Sequence, residues 1–161
     1  MDKLTPEDLI NKWILRVQRT QLAHRFAAKG TGKAHLLIGI PAAVLSTVVA
    51  TSIFASWEAE LFGYGRLITG MLSISSAILI ALQTFLRLEE LSDKHQKSDA
   101  NYGTVRQKLE QEAAFLTEST IDLNVFCNEI RKDLDELAKS SPVVPERYWC
   151  KARSTITAAL K

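Results

Sequence analysis

The chain has 161 residues and a formal net charge of +2, enough for one domain or for a membrane unit with one modest soluble part. So small a charge gives no argument for a nucleic-acid surface, and no nucleic-acid partner is expected. Mean hydropathy near zero suggests a soluble protein, but the apolar residues are concentrated in the middle third of the chain.

Residues 1–33 predict an amphipathic helix. Thr5, Pro6, Glu7 and Asp8 supply a capping hydroxyl, a proline at the first helical position and acids in the first turn. Ile10, Trp13, Ile14, Val17, Gln21 and His24 then recur at helical spacing. The helix is expected to end near Lys29–Gly30–Thr31–Gly32–Lys33, where two glycines permit a turn.

Residues 34–57 and 67–86 contain no Asp, Glu, Lys or Arg. Each is about as long as the ~20 helical residues that cross a hydrocarbon core. They predict a first and a second transmembrane helix, joined by a short external loop over 58–66. A secretory signal does not fit, because its apolar core spans only about 7–15 residues and follows a short basic head. Residues 1–33 hold seven Lys/Arg (Lys3, Lys12, Arg16, Arg19, Arg25, Lys29 and Lys33), whereas the loop holds one Arg against two Glu. The positive-inside rule places both termini in the cytoplasm. Trp57, Phe62 and Tyr64 are placed for an outer aromatic belt.

From Leu88 a stripe steps by three and four through Leu91, His95, Ser98, Tyr102 and Val105. It continues through Leu109, Glu112, Leu116, Ser119 and Leu123 to Phe126, Ile130, Leu134 and Leu137. It predicts one long cytoplasmic helix over 87–139 that continues the second span for ~75 Å. Ser98, Glu112 and Ser119 are poor seam residues, which favours a helical bundle over a strict coiled coil. Residues 140–161 form a Pro-containing linker, broken at Pro142 and Pro145, and a last helix from Glu146 to Leu160. The fold class is thus an all-α membrane protein: a two-helix transmembrane hairpin and a long cytoplasmic helix, packed with an N-terminal amphipathic helix and a short C-terminal one.

Catalytic patterns fail. Gly30–Thr31–Gly32–Lys33 resembles the tail of a phosphate-binding loop, but Ala27 and Ala34 stand where that loop needs Gly and Ser or Thr. His24, His35 and His95 fall on separate elements without ligand spacing, and packing explains them better than a metal. Glu90 and Lys94 read as a surface i,i+4 pair. Cys127 and Cys150 lack CxxC spacing and read as reduced thiols. No enzyme, cofactor or metal site is expected.

The spans carry the informative patterns. Small residues recur four apart at Gly39, Ala43, Thr47 and Thr51, and again at Ala77 and Ala81, which suits close helix packing in lipid. Pro41 removes a backbone donor and marks a kink in the first span. The second span shows a polar stripe at Thr69, Ser73, Ser76 and Gln83, continued by Arg87. Two readings stay open. In one, the hydroxyls bond their own helix and Gln83 bonds across the hairpin. In the other, these five residues line a water path, which requires a homo-oligomer because one hairpin cannot enclose a pore.

The run from His35 to Thr47, followed by Ala50 to Ala55, resembles the first-span signature of the SLATT proteins. These are bacterial two-transmembrane effectors associated with nucleotide-generating SMODS or nucleotide-sensing SLOG proteins. Arg16 to His24 resembles the segment before that span. Phe85 to Glu90, His95, and Tyr102 to Glu110 resemble the segment after the second span, and Pro142 to Trp149 fits the terminal region loosely.

The resemblance implies a pore-forming effector of the bacterial inner membrane that kills or arrests an infected cell when triggered. It implies a homo-oligomer in the lipid bilayer. The trigger is expected from a nucleotide-sensing or nucleotide-synthesising partner, or from a nucleotide signal, since no sensor is fused within the chain. Two rivals remain: a non-conducting membrane scaffold that recruits a cytoplasmic partner, and a holin-like lysis protein.

Overall fold

Pro6 opens the first helix, and the described residues beyond it are helical almost throughout. A computed structural model describes residues 6–55, 63–115 and 123–159. It contains α1 (Pro6–Ala55), α2 (Gly63–Leu86), α3 (Leu88–Phe115), α4 (Leu123–Ser140) and α5 (Glu146–Ala159), with no strand among the described residues. The residues fall into two units, Met1–Gly30 with Leu91–Lys161, and Thr31–Glu90.

The first unit is a helical bundle built on the predicted stripes. Ile10 and Val17 of α1, Tyr102, Val105 and Leu109 of α3, and Ile130 of α4 form one buried cluster. Trp13, Ile14, Phe126, Leu134 and Leu137 pack on its edges. Ile130 is fully buried, so its truncation to Ala costs about 2–5 kcal/mol. A second cluster joins Ala23 and Ala27 of α1 to Val144 and to Ala152 of α5. The alanines let the two backbones approach. Ser92 Oγ adds a 3.0 Å hydrogen bond to the Ala28 carbonyl, and Arg25 grips Asp99 through two nitrogens at 3.0 and 3.3 Å.

Two expectations change. First, α1 does not end at residues 29–33 but runs unbroken to Ala55. Glycine in a helix interior costs about 1 kcal/mol relative to alanine. At Gly30 the missing side chain makes room for the Tyr148 phenol of α5, whose hydroxyl would overlap a β-carbon there. Gly30 is a contact glycine and does not form a turn.

Second, the long helix over 87–139 is not one straight rod. Arg87 has φ 42°, between the end of α2 and the start of α3. Left-handed backbone costs a non-glycine residue about 1–2 kcal/mol and interrupts the helical ladder. Further on, Lys108 Nζ lies 3.1 Å from Asp133 Oδ2, whereas a straight helix would hold positions 25 residues apart about 37 Å from one another. The chain therefore reverses between α3 and α4, and α4 covers the α3 stripe. Leu116 and Ser119 lie outside the described residues.

Ser98 and Glu112, the poor seam residues of the stripe, are both buried on it. The Ser98 hydroxyl bonds the Lys94 carbonyl at 3.0 Å, while Glu112 Oε1 has no partner among the described residues.

Pro142 follows the end of α4, where Ser141 N donates to the Leu137 carbonyl at 2.9 Å, and α5 starts at Glu146 after Pro145.

In the second unit, α1 beyond Gly30 and α2 are long and apolar enough to cross a membrane. In each, only 6% of the most apolar stretch is buried. Leu37, Leu67, Met71 and Phe85 are among the large side chains left exposed. A core helix of a soluble protein would be mostly buried. Helix α2 begins at Gly63, ahead of the expected residue 67. Trp57, Phe62 and most of the expected loop lie outside the described residues.

Candidate functional site

The two apolar helices meet along a narrow polar seam. Ser46 Oγ and Ser76 Oγ are 2.6 Å apart, and Ser46 Oγ also donates to the Ala42 carbonyl at 2.8 Å. A serine has one hydroxyl proton, so the direction is fixed: Ser76 donates to Ser46, and Ser46 donates to Ala42. Two turns away, the Gln83 amide lies on the bare Cα of Gly39, where a β-carbon would come within 3.0 Å of its Nε2. Gly39 and Ser46 are two turns apart on α1, and so are Gln83 and Ser76 on α2, which gives an antiparallel register. A cavity of about 410 Å³ lies beside them, lined by His35, Gly39, Ala43, Ser46, Ile80 and Gln83 among others.

The predicted site residues are distributed as follows. Gly39 and Ala43 line the seam cavity, and Ser76 is buried in the seam. Thr69, Ser73 and Gln83 are half-buried, and Arg87 is exposed and 3.3 Å from Glu90. Thr47, Thr51, Ala77 and Ala81 are exposed in the single chain. The cause is geometric: a strict four-residue step turns about 40° past a full circle each time, so the stripe drifts off the contact. The seam follows a three–four alternation, through Gly39, Ala42 and Ser46 on one helix and Ser76, Ile80 and Gln83 on the other. Thr47 and Thr51 bond carbonyls of their own helix at 2.9 and 3.0 Å. Pro41 is exposed and lies inside the uninterrupted α1.

The first unit holds a second polar centre. His24 of α1 and His95 of α3 are both buried, with Nδ1 atoms 3.0 Å apart, and the Tyr102 ring stacks on His24 at 5.5 Å. Burial, and then the neighbouring His95, hold the His24 imidazole down to about 4, with Asp99 pulling weakly the other way. Burial lowers His95 as well. Both are therefore neutral at pH 7, one donating and one accepting.

Above His24 opens a cavity of about 730 Å³ edged by Lys12, Arg16, Arg19 and Arg153. Neither feature was visible in the spacing. The two histidines are 71 positions apart, and the cations read as an ordinary solvated helix face. A clue was present in the stripes, since both histidines sit at core positions of their helices.

Among the described residues no three His, Cys, Asp or Glu converge on a metal-binding geometry. Cys127 is half-buried, which raises its thiol pKa, and Cys150 is exposed. Comparison with protein-family models, with curated proteins and with solved structures finds no match to the chain.

Proposed function

We propose that this chain is an oligomeric, pore-forming effector of a bacterial nucleotide-signalling or anti-phage defence system, seated in the inner membrane as a hairpin with both termini in the cytoplasm. The observation that carries the membrane part is the exposure of α1 and α2. Side chains such as Leu37, Met71 and Phe85 face outward at 72–85% exposure, and each large apolar side chain moved out of water gains about 1.5–3 kcal/mol. Lipid answers that exposure. The effector role rests on the resemblance to the SLATT proteins in residues 35–55 and 85–110.

Assembly supplies what one hairpin lacks. The exposed small residues Thr47, Thr51, Ala77 and Ala81 give neighbouring copies surfaces for close approach. Thr69 and Ser73, half-buried beside the seam, lie nearest to a water path in such a ring. A trigger acting on the helical bundle then shifts the equilibrium between closed and conducting assemblies.

Dye or ion release from liposomes reconstituted with the chain tests this reading. Release is expected under at least one activating condition, and Gln83→Leu is expected to lower conductance without reducing insertion. An intact permeability barrier under every condition, with the protein shown to be inserted, would overturn it.

A second reading is a non-conducting membrane-anchored scaffold. Its support is that Ser76 and Gln83 are turned toward α1 in the single chain, so the polar stripe is partly used in packing. Exchanging residues 34–86 for an unrelated hairpin separates the two. A scaffold keeps its activity, and a pore loses it.

A further inference from the structure

We propose that the basic cavity of the first unit binds a nucleotide: a ligand that joins a multiply charged phosphate to a flat ring. Lys12, Arg16 and Arg19 follow one another at four and three residues on one face of α1, and Arg153 enters from α5. No carboxylate lines this cavity among the described residues. Arg153 is paired with Glu146 at 3.1 Å, but Lys12, Arg16 and Arg19 form no ion pair with any described residue. Like charges one turn apart repel and weaken a helix. A solvated convex face tolerates that repulsion. Here the charges edge a concavity instead, so their fields converge on one volume.

Size and wall chemistry narrow the ligand. At about 730 Å³ the cavity lies within the ~300–1,000 Å³ range of small-molecule sites and far exceeds a bare phosphate ion. Pro142, Val143, Val144 and Trp149 form an apolar wall of the same cavity, with Trp149 one turn before Arg153 on α5. Val143 is left 91% exposed on it. An indole beside guanidinium groups suits a ligand that stacks through a ring and pairs through phosphate oxygens. Ser141 lines the same cavity, and its enclosed hydroxyl has no hydrogen-bond partner among the described residues.

The floor links the ligand to the bundle. Tyr102 and His24 line it, and His24 is hydrogen-bonded to His95 of α3. Occupancy therefore bears on the α1–α3 contact. The choice of a nucleotide rests on the signalling role proposed above, whereas the pore does not enter the test, because binding is read without permeation.

The test uses the full chain in phosphatidylcholine nanodiscs, with N-methylanthraniloyl-ATP and a fluorescent cyclic di-AMP as probes and polarisation as the readout. Saturable binding of at least one probe is expected, displaced by the unlabelled nucleotide and weakened by salt. Arg16→Ala with Arg19→Ala should weaken it about tenfold or more. Both side chains are exposed, so helicity by circular dichroism should not change. Arg16→Lys with Arg19→Lys should restore most of the affinity. Failure of both probes to saturate, or binding indifferent to the substitutions, overturns the proposal. So does displacement by pyrophosphate as effective as by nucleotide, since the ring would then contribute nothing. Nanodiscs containing phosphatidylglycerol provide the last arm: if the headgroup binds in an Arg16- and Arg19-dependent way and nucleotides do not, the cavity is a lipid site. Binding without liposome release, by contrast, removes the pore and leaves the site.

Discussion

The imidazoles of His24 and His95 face one another Nδ1 to Nδ1 at 3.0 Å, so a single proton is shared on that line and a second has no place. With His24 held at about 4, the native state stays neutral while the unfolded chain titrates near its ordinary value of about 6.5. Above that value both states are neutral and stability is full. Between about 6.5 and about 4 only the unfolded chain takes the proton, so stability falls as pH falls. Below the native value both are charged and the loss levels off.

The loss reaches on the order of 3 kcal/mol for His24, and His95 acts in the same direction. Asp99 favours the protonated form of His24 and is itself paired with Arg25 at 3.0 Å. The cations that edge the cavity over His24, Lys12, Arg16, Arg19 and Arg153, disfavour it. Thermal melting followed from about pH 7.5 to about pH 4.5 should show the decline. His24→Gln should flatten it. A flat wild-type profile would mean that the pair is not enclosed as described.

Gly30 and Tyr148 make a second test. A methyl at 30 meets the phenol hydroxyl first, so Gly30→Ala is expected to destabilise the bundle by about 1–3 kcal/mol. Removing that hydroxyl with Tyr148→Phe should recover part of the loss, since the ring carbon behind it still lies 2.7 Å from the methyl, and the two substitutions couple in a double-mutant cycle. Additive effects would sink the contact.

The reversal between α3 and α4 can be trapped covalently. In a variant with Cys127 and Cys150 changed to serine, Lys108→Cys with Asp133→Cys should cross-link within one chain under a short bifunctional reagent. A continuous rod keeps those sites about 37 Å apart and yields no such product. Lys108 itself contributes little, because its pairs with Asp133 and Glu129 are solvent-exposed.

In lipid, Ser46→Cys with Ser76→Cys should form an intramolecular disulfide on mild oxidation. Adding Gly39→Leu should abolish it, because the larger side chain displaces Gln83 and separates the helices. Gly39→Ala should leave it, since the 3.0 Å approach is to the movable end of Gln83.

Much of the bundle could be read from periodicity. The residues buried on α3, His95, Ser98, Tyr102, Val105, Leu109 and Glu112, all lie on the predicted stripe, because a three–four step marks one helix face whatever covers it. What covers it was not legible. Residues 116–122 contain neither Gly nor Pro, so nothing local announced that α4 would turn back. The glycines at 30 and 32 misled for the opposite reason. They carry a turn signature, yet Gly30 answers a tertiary demand from Tyr148, more than a hundred positions away. At the seam, composition identified small and hydroxylated residues, but their phase depends on a helical pitch that a four-residue rule slightly overshoots.

The relay from Ser76 through Ser46 to the Ala42 carbonyl has a consequence for motion. If the two apolar helices part, Ser46 keeps its bond to Ala42, and Ser76 can turn to the Leu72 carbonyl one turn back. No donor is stranded in hydrocarbon on either side of the event. The clasp can therefore open and close many times at small enthalpic cost, as the proposed change between closed and conducting assemblies would require.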